Sequence, residues 1–226
     1  MSPTVVRLTG LAGYLMALMF GIHAVGFRAV PGYAAGALRP VPFAAERPID
    51  FFVWIFAATG AFTLLVAILP AVWVTMGRGL SAGIPCLILF ASAVIDIAAD
   101  GAAMSHYAVS TAYIAADDVG RVGLIDVADA VQATVAALLN PGLGLWVFGA
   151  VGLAIVSAVT RSAAPRWYGL LFLAGILINT PLDVGPPIVW GVLNVAVFGV
   201  FTFVTVRALG LRVALEGAAA PRPMPA

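Results

Sequence analysis

The 226-residue chain contains no lysine, and all 11 of its basic residues are arginines. Without a lysine amine, no Schiff base to retinal or pyridoxal phosphate can form. Cysteine is nearly missing as well. The single Cys86 cannot make an internal disulfide and reads as a small core residue. Charge is scarce: 9% of residues are Asp, Glu, Lys or Arg, against about 25% in soluble domains. The net charge of +1 is spread out with no basic block, so no nucleic-acid partner is expected.

What the chain has in abundance is apolar sequence, 63% of residues with a mean hydropathy of +1.10. Several windows exceed the roughly 18 apolar residues that suggest a bilayer span. The runs are solidly apolar rather than alternating with period two, which excludes a transmembrane barrel. An all-α, polytopic transmembrane helix bundle follows. Arginine without lysine, with abundant Ala, Gly and Val, suggests a GC-rich bacterial genome, and hence a multi-pass protein of the bacterial inner membrane.

Six spans are expected, near residues 8–27, 51–76, 82–107, 142–160, 165–183 and 188–206, in one domain over 1–215 with a disordered tail at 216–226. The first run, at 20 residues, is longer than the 7–15 apolar residues of a signal peptide and reads as a retained span. Trp54, Trp73, Trp167 and Trp190 lie near proposed span ends, as an interfacial aromatic belt requires. Gly13, Ala17 and Gly21 share one helix face, as do Ala98 and Ala102, which predicts close internal helix packing. Residues 122–139 carry Asp126, Asp129 and Gln132 and read as an amphipathic surface helix, broken by Asn140-Pro141-Gly142. Counted instead as a span, this segment gives seven, a topology that places more arginines inside. Six is preferred because seven would bury Asp126 and Asp129.

Asp96 and Asp100 fall inside the third span, where no arginine accompanies them. A carboxylate in hydrocarbon is expensive and marks a site by default. Their i, i+4 spacing puts both on one helix face. At 1.5 Å per residue, Asp96 lies about 21 Å and Asp100 about 27 Å along their helix, and His23 about 22 Å along the first. All three therefore reach the same leaflet. Under six spans Asn179, Asp183 and Asn194 join them from the fifth and sixth helices, with Trp190 and Trp54 nearby. Asp50, His106, Asp126 and Asp129 lie at the same rim. The expected site is thus Asp96, Asp100 and His23 as catalytic groups, with Asn179, Asp183, Asn194, Trp190 and Trp54 around the substrate.

Three chemistries suit such a pair. Two carboxylates one turn apart can hold a divalent cation against a diphosphate, and the spacing resembles the Asp-x-x-x-Asp motif of membrane prenyltransferases. Those enzymes use a second acidic motif, for which Asp126-x-x-Asp129 has the wrong spacing, so Mg²⁺ is implied only for a diphosphate substrate. Alternatively, a carboxyl kept from water and held protonated can act as a general acid on an alkene or epoxide. In size and acid placement the chain is then similar to small membrane terpene cyclases. Thirdly, acids and histidines together can relay protons.

Two stretches resemble a bacterial multi-pass membrane family catalogued as a domain of unknown function. One is Arg7-x-x-Gly10-x-x-Gly13-Tyr14-Leu15. The other runs from Gly144-Leu145-Trp146 through Thr160-Arg161-Ser162 to Pro165-Arg166-Trp167, Gly169 and Gly175. The resemblance implies six spans and a surface helix before Asn140, and it brings no activity or ligand. The favoured expectation is a membrane enzyme acting on a lipid or isoprenoid. A proton-coupled transporter or channel subunit, or a non-catalytic scaffold, is the alternative. Membrane lipid and an apolar small molecule are the expected partners.

Overall fold

The computed structural model describes residues 2–30, 40–160, 162–179 and 185–218. It is all helical, with no strand among those residues. The helices are α1 (Pro3–Ala29), α2 (Pro40–Glu46), α3 (Pro48–Thr75), α4 (Leu80–Ala103), α5 (Ser105–Ala115), α6 (Asp118–Val159), α7 (Leu170–Asn179) and α8 (Pro187–Ala218). Five segments are long and apolar enough to cross a membrane: α1, α3, α4 running on into α5, α6, and α8. Leu11, Phe56, Leu87, Phe148 and Phe203, one on each of α1, α3, α4, α6 and α8, are all more than half exposed. Water would not tolerate such a surface, and lipid does.

The long helices pack antiparallel to their neighbours. On α1 and α8, Gly21 faces Gly191 so closely that a Cβ on either would lie 3.0 Å from the other's carbonyl oxygen. Gly13 meets Thr202 and Gly10 meets Val206 further along the same pair. The small-residue face expected on the first span is therefore an internal packing face. Its counterpart in α4 is displaced: Ala98 is exposed and Ala102 half-buried, while Ala99 and Ala103 are buried beside the two acids. The carboxyls turn their own face inward, and Ala98 falls on the other side.

Helix α3 ends in a turn that needs glycine. Gly77 has φ +113°, its N–H bonds to Val74 O, and Arg78 N–H bonds to Trp73 O. That is the Schellman termination, and it sends the chain straight back into α4.

Two expected spans differ in their helix bounds among the described residues. Residues 118–159 form one 42-residue helix, with Asn140-Pro141-Gly142 inside it rather than at a break. At 1.5 Å per residue α6 is about 63 Å long, twice a hydrocarbon core. Its first half, with exposed Asp126 and Asp129, has the length to stand beyond that core. Of the expected fifth span, 165–183, the described residues end at 179, and within them the helix α7 covers Leu170–Asn179. It begins late because Gly169 rests directly on the Leu153–Ala154 backbone of α6, holding 166–169 as turns. Helix α8 continues to Ala218, past the expected domain boundary at 215; the rest of the expected tail, 219–226, lies outside the described residues.

Candidate functional site

One face of α4 buries Asp96, Ala99, Asp100 and Ala103. That face opens on a cavity of about 260 Å³ lined by residues of α1 to α7. Both acids line it, being 5% and 9% exposed. Neither has an ion-pair partner among the described residues; the pairs Arg47–Asp50 and Arg121–Asp118 are both at exposed positions.

What the acids do have is weak. The Ser92 hydroxyl lies 2.8 Å from Gly142 O and 3.4 Å from Asp96 Oδ2. Its single proton favours the shorter contact, which leaves Asp96 without a strong donor. Thr59 Oγ1 donates to Asp100 Oδ2 at 3.3 Å. Asp96 has room because residue 142 is glycine: a Cβ there would stand 2.7 Å from Asp96 Oδ1.

His23 also lines the cavity, and its Nδ1 accepts a 3.0 Å hydrogen bond from Trp54 Nε1. That bond fixes the imidazole as the tautomer with its proton on Nε2. The Trp54 ring stacks on His23 and meets Phe51 edge-on at 5.6 Å. At the other end, Phe20, Phe62 and Trp146 form a triad of nearly perpendicular rings, 5.4 to 5.8 Å apart. Edge-to-face pairing presents ring faces as well as edges, and ring faces attract positive charge.

Further polar residues of the wall are His106, Gln132 and Asn140. His106 is buried, with Nε2 3.2 Å from Gln132 Oε1 and with Nδ1 unpartnered. The Trp146 indole N–H is also buried and unpartnered. An orphaned buried donor or acceptor costs about 1–3 kcal/mol, and both of these orphans belong to residues of the cavity wall.

The structure thus brings together Asp96, Asp100, His23 and Trp54, all four lining the cavity and Trp54 buried. It does not bring in Asn194 or Trp190. Asn194 is fully buried but absent from the lining, and its Nδ2 donates to Trp190 O in its own helix. Trp190 lies under the Arg28 guanidinium, 4.6 Å from ring centroid to Cζ, and off the cavity. Asn179 ends α7, but its side chain, like Asp183, lies outside the described residues. Gln132 and the ring triad were missed as site residues. Their signal was present: Gln132, Val135, Leu139, Leu143 and Trp146 recur at three- and four-residue steps straight through Pro141.

No group of three or more His, Cys, Asp and Glu suited to hold a metal occurs among the described residues. Comparison of the chain with family models, curated proteins and solved structures finds no match.

Proposed function

We propose that this is a membrane-embedded enzyme performing general-acid chemistry on an apolar lipid or isoprenoid substrate. The observation that carries this reading is the pair of buried, cation-free carboxyls, Asp96 and Asp100, opening into an aromatic cavity. A protonated aspartate gives its O–H proton to an alkene carbon or an epoxide oxygen, and a carbocation develops on the substrate. The faces of Phe20, Phe62, Trp146 and Trp54 stabilise that positive charge without reacting with it. The cation is quenched when an adjacent C–H bond breaks and its proton passes to a carboxylate, so the acid is regenerated and the substrate is isomerised or cyclised. Water is kept out by the apolar wall, which protects the cation from capture.

Diphosphate chemistry fits less well. The described lining has no arginine to meet an anion, and Asp126 and Asp129 are exposed on α6 away from the cavity. The cavity, at about 260 Å³, also falls just below the range of ligand sites, which run from about 300 Å³ upward. It suits the reacting end of a chain better than a whole lipid.

The test is product analysis of membranes carrying Asp96→Asn or Asp100→Asn, supplied with prenyl alkenes and epoxides. General-acid catalysis contributes about 10²- to 10⁴-fold, so at least one variant is expected to lose product by that margin. Unchanged product in both variants rejects the reading. A proton-coupled transporter is supported by the same lining, since four protonatable side chains share one cavity. It is distinguished by proton-driven flux in liposomes that vanishes in Asp96→Asn.

A further inference from the structure

A second cavity, a groove of about 620 Å³, runs along the outer side of α1, α3 and α8. Leu18, Ile22 and Val25 line it from α1, and Ile188, Val192 and Val195 from α8. Its floor is open because residues 21 and 191 are glycines in backbone contact. Charge occurs at one end only, where Arg47 and Asp50 form a 2.6 Å exposed pair. From Leu18 to Ala29 the groove is about 17 Å long, close to half of a 30 Å hydrocarbon core. It has the length and the polarity gradient of one leaflet.

Among the described residues, Trp54 alone lines both this groove and the acidic cavity. Its side chain lies across Gly26, where a Cβ would stand 2.7 Å from Trp54 Cβ and 2.9 Å from Cγ. The hydrogen bond to His23 Nδ1 holds it there. A ring held by one hydrogen bond and by contact with His23, Phe27 and Phe51, over a residue without a side chain, separates a bilayer-facing groove from the acids.

We infer that the groove takes a single apolar chain of a membrane-dissolved lipid, with its polar end at the Arg47–Asp50 pair, and that Trp54 is the door through which that chain reaches Asp96 and Asp100. Substrate then comes from the bilayer and never through water. The inference rests on the acidic cavity being the working site, but it concerns access and can be read without catalysis.

The experiment is carbodiimide labelling of the full chain in phosphatidylcholine vesicles, with modified Asp96 and Asp100 quantified by peptide mass spectrometry. Lipid-soluble dicyclohexylcarbodiimide is compared with a charged, water-soluble carbodiimide. Dicyclohexylcarbodiimide is expected to label the wild type at least about tenfold faster than the water-soluble reagent. Trp54→Ala is expected to speed labelling about fivefold or more, and Trp54→Phe, which keeps the ring and loses the N–H donor, to fall between. Val192→Trp, which fills the groove and leaves the acidic cavity intact, is expected to slow it. Equal labelling by the two reagents overturns the inference. So does failure of lipid-soluble labelling in Trp54→Phe and Trp54→Ala, or a rate indifferent to both Trp54 and Val192. If Asp96→Asn abolishes product while labelling ignores Trp54, the enzyme stands and the door falls.

Discussion

At the scale of single residues, the site depends on what is small as much as on what is acidic. Asp96 occupies space that a Cβ on residue 142 would take. Gly142→Val is therefore expected to displace the Asp96 carboxyl. Because misplacing a catalytic group by about 1 Å can cost about 10²-fold, product formation should fall by at least tenfold. Initial rates, with circular dichroism to show that the helices persist, check this. Asp96, Asp100 and His23 were legible from sequence because titratable groups at hydrocarbon depth are costly enough to need a reason, and Trp54 entered as a ring near a span end. Asn194 and Trp190 were not separable from them by the same logic. An amide can satisfy itself on its own helix, as Asn194 does on Trp190 O, and depth along the chain does not reveal which way a residue faces.

At the scale of helices, close approach between α1 and α8 holds one side of the bundle. Gly21→Leu would force a side chain onto the Gly191 carbonyl and is expected to lower Tm by several degrees. Gly199 is on α8 with nothing within 4 Å of a built Cβ, so Gly199→Ala is expected to be neutral or to stabilise by up to about 1 kcal/mol. Thermal unfolding of the two variants in one detergent measures the contrast. The glycine face of α1 was readable because the i, i+4 spacing of small residues has one main use in a membrane. The length of α6 was not. Asn-Pro-Gly is a strong stop signal where water competes for the freed backbone groups, but in a membrane bundle neighbouring helices can satisfy them. Ser92, donating to Gly142 O from α4, ties the neighbouring helix to α6 just past the proline. The same continuity moves Gln132 from a presumed surface helix to the cavity wall, opposite His106.

At the scale of the whole molecule, an apolar exterior surrounds a small acidic interior that has no counter-charge among the described residues. The composition made the exterior plain, since a chain with 63% apolar residues has few other places to be. The number of crossings was less plain. Residues 165–183 were expected as a span, and among the described residues contact with α6 delays the start of α7 to Leu170. The central claim is that Asp96 and Asp100 are retained for chemistry and contribute nothing to holding the bundle together. It bears directly on stability, because burying a carboxyl without a cation or a strong donor is unfavourable, and asparagine has nearly the same shape without the charge. The deciding measurement is the thermal unfolding midpoint of the Asp96→Asn/Asp100→Asn double variant beside the wild type, in the same lipid nanodiscs. A midpoint equal to or above that of the wild type is the expected result, and a midpoint several degrees below it would show that the two acids serve the fold.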